Sequence, residues 1–226
     1  MKRLHIVLEG PTEQIFVDEL LYPPLLEKGV FAIPHSMGGN IRWSRMRSDV
    51  MLFLKSDPGA FVTTFFDYYG LVHKMTDPFP GKAGLGKFDT ARKKKDAIEG
   101  ALRSEVEQGL GRRFDATRFI PYVQMHEFEG LLFSEPEVAA TGMFEPDVAP
   151  PLRAIRDSFR TPEDINDDRK TAPSKRIEQI LPKYDKKIQG NLAALAIGLD
   201  AIRVACPLFG EWVAILERLG EAPAGV

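Results

Sequence analysis

Two hydrophobic periods alternate along the first half of the chain. From Leu4 to Leu8 the residues are apolar and partly β-branched, and they run into Gly10-Pro11-Thr12. Helical spacing follows at Ile15, Phe16, Leu20 and Leu21, so a strand, a tight turn and a helix over Glu13–Leu26 are predicted. Thr12 is expected to cap that helix, Glu13 to complement its positive end, and Pro23-Pro24 to interrupt it near Tyr22. Val30–Pro34 reads as a second strand and Arg42–Lys55 as a second helix. Ala60–Phe66 is a continuous β-prone run, too apolar for a half-exposed strand, and predicts burial on both faces.

A charged helix is expected over Thr90–Gly109 and a further strand over Arg118–Met125, with His126-Glu127-Phe128-Glu129 at its exit. Beyond Glu135 the pattern is mainly helical, broken at prolines, and the Pro- and Asp-rich stretch Thr161–Pro173 reads as a mobile joint. Strands alternating with helices imply parallel pairing. The predicted fold class is therefore α/β: an open, mainly parallel sheet flanked by helices over residues 1–135, with a helical C-terminal extension over 136–226 packed on it.

Composition narrows the classes without choosing among them. The chain has 226 residues, 44% hydrophobic and 27% charged, which excludes wholesale disorder and a disulfide mini-protein. A formal net charge of -2 argues against coating nucleic acid by bulk electrostatics. No apolar run is long enough for a membrane span. The single Cys206 permits no internal disulfide and fits a reducing, cytoplasmic setting.

The main chemical clue is where acids fall: Glu9 after the first strand, Asp67 after the third, and Glu127 with Glu129 after the next. Parallel neighbouring strands would gather these carboxylates into one crevice, where their repulsion is relieved by a bound cation. Hard oxygen ligands suit Mg²⁺ or Mn²⁺, which assist phosphodiester hydrolysis. The i, i+2 spacing of Glu127 and Glu129 lets only one of them face such a site. His126 is a candidate general acid or phosphate ligand.

Gly81 to Lys87 has the glycine and lysine spacing of a phosphate-binding loop, but Phe88 stands where Ser or Thr is needed and prolines replace the preceding strand. Nucleotide binding is rejected there. Lys82, Lys87, Arg92 and Lys93 still form part of the densest basic region, and Lys175 and Arg176 a second cationic pair, so these are candidates for tracking a nucleic-acid backbone. A solvated helix face explains the same charges equally well.

The blocks EGPTEQIFVDELL, VTTFFDYYGL, RFIPYVQMHEFEGLLFS, TAPSKRIEQ and IRVACPLFGEWVAILE together resemble the bacterial family catalogued as domain of unknown function 4276. That family is similar in turn to the topoisomerase-primase (Toprim) fold of the overcoming-lysogenization-defect nucleases. The resemblance implies a Toprim-like, Mg²⁺-dependent nuclease acting in defence against phage or plasmids, often beside an ATPase partner. It matches Glu9 to a metal-holding glutamate, Glu13 to an acidic position on the following helix, and Asp67 to the first aspartate of an Asp-x-Asp pair. Tyr69 stands at the second. A phenol is a poor Mg²⁺ ligand at neutral pH, so a catalytically degenerate subunit that binds an ATPase or nucleic acid is the rival expectation. A small-molecule phosphatase is a third.

Overall fold

The structure is a computed structural model that describes residues 1–39, 41–71, 76–86, 89–111, 114–165, 168 and 170–221. Strand β1 (Lys2–Leu8) pairs in parallel with β2 (Val30–Ser36) on one side and β3 (Phe61–Asp67) on the other. The latter pairs with β4 (Phe119–Ile120) and, further along, with β5 (Val123–Gln124), so the sheet order is β2-β1-β3-β4. The fold is an open parallel α/β sheet with a helical C-terminal part.

Strand alternation divides the core. Leu4, Ile6, Leu8 and Phe65 pack on one face against Phe16, Leu21, Phe209 and Trp212, while Val7, Val62 and Phe66 meet Met46, Val50, Ile98 and Leu102 on the other. The second face is covered by α3 (Trp43–Ser56) and α4 (Ala91–Leu110). Apolar positions on both sides of β1 and β3 account for their unbroken hydrophobic sequences.

The first face is covered by a long helical run. It consists of α1 (Pro11–Phe16), a wide π-type turn (Val17–Leu21) and α2 (Tyr22–Glu27). Here one expectation fails. Pro11 starts the helix, placing Thr12 inside it and Gly10 at the cap, with the Gly10 amide donating to Glu13 Oε2 at 3.0 Å. The α-helical pattern is interrupted near Tyr22, as expected: a π-type turn runs up to Leu21, and α2 starts at Tyr22 with Pro23 and Pro24 in its first turn.

The predicted strand Arg118–Met125 is split in two. Pro121 has no amide to donate, and Thr side chains replace the missing rungs: Thr63 Oγ1 donates to the Ile120 carbonyl, and Thr64 Oγ1 both donates to the Tyr122 carbonyl and accepts its amide. From this split end a 3₁₀ segment, Phe128–Ser134, leads to the C-terminal helices. These are α5 (Pro136–Gly142), α6 (Ala149–Asp157), α7 (Pro173–Ile180), α8 (Asn191–Ile197), α9 (Leu199–Ala205) and α10 (Pro207–Arg218).

One hydrophobic cluster joins these helices to the first face of the sheet. Trp212 of α10 stacks on Tyr122 at 4.3 Å and donates to Thr63 Oγ1 at 2.9 Å. Within the stretch expected to be a mobile loop or sub-domain joint, the buried Glu163 carboxylate accepts the Leu208 and Phe209 amides at the start of α10. No single helix among the described residues is long and apolar enough to cross a membrane.

Candidate metal centre

The parallel register of β1 and β3 sets Leu8 beside Phe65, so Glu9 leaves its strand next to the end of β3. The Asp67 amide donates to Glu9 Oε2 at 3.3 Å. Gly70 closes the turn after β3 against the same carboxylate, where a Cβ would lie 2.6 Å from Glu9 Oε2. Any side chain there would push Glu9 away. From α1, Glu13 turns its buried carboxylate toward the same crevice, and Glu129 enters from the 3₁₀ segment that follows β5.

The Lys186 ammonium lies among these acids. Its Nζ is 3.2 Å from Glu129 Oε2, 3.3 Å from Asp67 Oδ2 and 3.8 Å from Glu13 Oε1. Lys186 belongs to a π-type turn, Lys186–Gly190, between α7 and α8. Its three partners have side chains no more than 7% exposed, whereas its own is 40% exposed. The lysine side chain is thus the least buried of the four.

Four carboxylates facing one ammonium cannot all ionise cheaply. Burial first, then Glu13, pushes Glu9 up to about 7. Burial also lifts Asp67 well above the ordinary aspartate value, against the pull of Lys186 and with Glu13, Glu9 and Glu129 adding to the rise. Glu129 is raised, again chiefly by burial. Burial works against the Lys186 ammonium, but Asp67, Glu129 and Glu13 outweigh it and hold its pKa above the usual lysine value. The lysine stays charged and the acids compete for it.

Asp67 Oδ1 and Glu129 Oε1 are buried with no hydrogen-bond partner. Unsatisfied buried carboxylate oxygens are costly, and this all-oxygen donor set fits a hard divalent cation. Among the described residues no group of three or more His, Cys, Asp or Glu side chains is placed so that it could hold a metal ion as it stands. Lys186 takes the central place instead.

The other sequence candidates lie around or away from this pocket. Glu127 turns from it to accept the Ser174 amide at the start of α7, at 2.9 Å, so Glu129 is the member of the pair that faces inward. His126 adopts a left-handed backbone, φ 65°, and lies with its ring 5.7 Å from Tyr69 and 6.1 Å from Tyr68. A non-glycine residue held there marks a locally strained strand exit. Tyr69 thus stands beside His126.

The expected basic track is largely engaged elsewhere. Lys82 donates to the Tyr68 and Leu71 carbonyls and pins the loop after β3. Arg92 pairs with Glu211, Lys93 with Asp89 and Lys175 with Glu178, while Arg176 donates to the Thr171 carbonyl over the Phe159 ring. Lys87 lies outside the described residues. Sequence reasoning missed Lys186, because a Lys-Lys pair after Tyr184-Asp185 reads as two solvated cations, and Gly70, which reads as an ordinary turn residue.

This chain belongs to the family described as "Domain of unknown function (DUF4276)", whose pattern matches residues 8–217. Among solved structures it is similar to the C-terminal region of the Xanthomonas campestris pv. campestris OLD protein. In the form phased with iodine the identity is 16% over 97% of this chain and 96% of that one, with a TM-score of 0.43. In the form phased with mercury it is 17% over 95% and 98%, with a TM-score of 0.37. No curated protein matches the chain.

Proposed function

We propose that this protein is a Toprim-like nuclease that hydrolyses phosphodiester bonds with the help of Mg²⁺ or Mn²⁺. The observation that carries the reading is the convergence of Glu9, Glu13, Asp67 and Glu129, from three strand exits and one helix, on a pocket with unpartnered buried carboxylate oxygens. Those four residues would hold the cation, which supplies polarisation of a phosphoryl oxygen and a more acidic bound water. Water is the nucleophile.

The chain's own residues then have distinct tasks. Gly70 keeps Glu9 at the rim by leaving room for its carboxylate. Lys186, the cation among the pocket's acids, would offer its ammonium to an incoming phosphate. His126, Tyr68 and Tyr69 cluster just after Asp67 in the loop beyond β3 and beside it, and are the nearest polar aromatic groups to offer the strand being cut. An ATPase partner and a role in defence against phage or plasmids accompany this reading.

Incubation of purified protein with plasmid DNA and with RNA, in Mg²⁺, Mn²⁺ or EDTA, tests it. Cleavage that requires the metal and is lost in both Glu9→Gln and Asp67→Asn is the expected result. Cleavage that survives both substitutions removes the site.

Tyr69 favours a second reading, in which the pocket no longer turns over substrate and the protein binds an ATPase or nucleic acid. That reading expects no cleavage of any polymer but retained nucleic-acid or partner binding by the same preparations.

A further inference from the structure

We infer that Lys186 is a displaceable internal counter-cation: its ammonium neutralises the acidic pocket in the metal-free protein and yields its place to a divalent cation, so that this lysine sets the affinity for the metal. The inference rests on the reading of the pocket as a divalent-cation site. It concerns what the lysine does before any substrate arrives.

Geometry supports exchange more than a permanent ion pair. The three carboxylates nearest the ammonium come from α1, β3 and the 3₁₀ segment after β5, and all are buried in place by the sheet and its covering helices. They cannot follow the lysine outward. The ammonium, by contrast, hangs on a flexible side chain that is already 40% exposed. An ammonium and a dication cannot occupy one small pocket together, because like charges at such distances repel strongly in a partly buried setting.

The backbone that carries the lysine is fixed, so exchange needs only side-chain rotation. Asp185 accepts the Ile188 amide at 2.9 Å, and the Asp185 amide donates to Gln189 Oε1 at 2.9 Å. Asn191 Nδ2 donates to the Lys187 carbonyl, and Gly190 lies so close to Tyr184 that a Cβ would come within 2.7 Å of its hydroxyl. The wide turn is thus tied at both ends. A rigid arm with a mobile tip is the arrangement a tethered competitor requires.

The ammonium also explains how the pocket exists without metal. Asp67 Oδ2 and Glu129 Oε2 each face it, while Asp67 Oδ1 and Glu129 Oε1 are left without partners. The single ammonium leaves one Asp67 oxygen and both Glu129 oxygens without a hydrogen-bond partner. A dication with several coordination positions would satisfy the rest.

The test is titration of the full chain with MnCl₂ by calorimetry, for wild type, Lys186→Met, Lys186→Gln and Lys186→Arg, with melting curves in EDTA and in Mn²⁺. Lys186→Met and Lys186→Gln are expected to bind Mn²⁺ roughly 10–100-fold more tightly than wild type, to melt lower in EDTA, and to recover in Mn²⁺. Lys186→Arg should stay close to wild type. If wild type binds Mn²⁺ and the neutral variants, folded by circular dichroism, bind it no more tightly, the counter-cation role is wrong while the divalent site stands. If wild type takes up no Mn²⁺ but the neutral variants do, the lysine is a permanent plug: it is not displaceable, and both the proposed exchange and the nuclease reading fail. No uptake by any of the four proteins overturns both.

Discussion

Two buried acidic sites in this protein have been given opposite surroundings. Glu163, at the start of α10, is 2% exposed, yet both of its oxygens accept backbone amides, from Leu208 at 2.9 Å and Phe209 at 2.8 Å. Asp67 and Glu129 are equally buried, but each keeps an oxygen with no hydrogen-bond partner and shares a single ammonium with Glu13. Burial pushes Glu163 up to about 7, as it does Glu9 in the pocket. A raised carboxyl therefore does not separate the two sites; satisfaction does. Glu163 fastens a helix, and the pocket at the strand exits carries unmet bonding capacity.

The largest expected effect separates them by activity. Asp67→Asn should lower metal-dependent cleavage by at least about 100-fold with little change in melting, since it removes a ligand charge in a pocket that pays for charge. Glu163→Gln, assayed in parallel, should stay within a few-fold of wild type. The comparison breaks if the two variants lose activity equally.

Stability should respond in the reverse order. Glu163→Ala leaves two helix amides and a void behind, and urea unfolding is expected to show a loss of about 3 kcal/mol. A loss below about 1 kcal/mol would mean that the α10 anchor is replaceable by water.

A third measurement uses pH. The folded pKa of Glu9 lies above its unfolded value, so the native state binds more protons between about 4.5 and 7, and stability present at low pH is lost as pH rises through that window. Glu163 has the same sign. His5 and His35, both lowered chiefly by burial, oppose it by gaining stability as pH rises through about 6.5. In EDTA, Glu9→Gln should lessen the fall between pH 5 and pH 8 by up to about 3 kcal/mol, as read by urea melts at the two values.

Smaller effects sharpen the picture further. Gly70→Ala should displace Glu9 and cost about 10-fold in cleavage while leaving the melting temperature within a few degrees of wild type. Trp212→Phe, which removes the donor to Thr63 but keeps an aromatic ring on Tyr122, should cost about 1 kcal/mol and leave cleavage unchanged.

Much of the sheet was legible because β1 and β3 are buried on both faces, and continuous apolar runs announce such strands. The acids at their ends were legible for the same reason: parallel neighbours bring their exits together. The split of β4 from β5 was not, since Thr63 and Thr64 replace ladder bonds through contacts more than fifty residues away in sequence. Lys186 was hidden in the same manner. Its local sequence resembles a solvated cation pair, and only the packing of the C-terminal helices on the sheet carries it to Asp67 and Glu129. The inward choice of Glu129 over Glu127 depended on Ser174, forty-seven positions later.

Pro34 lies within β2, the border strand of the sheet. A residue without an amide is tolerated at a border, and it denies an incoming chain one of the donors that templated growth would need. The opposite border offers only the two-residue β4 and β5, too short to seed a ladder. Both borders therefore present an incoming strand with little continuous backbone to pair with.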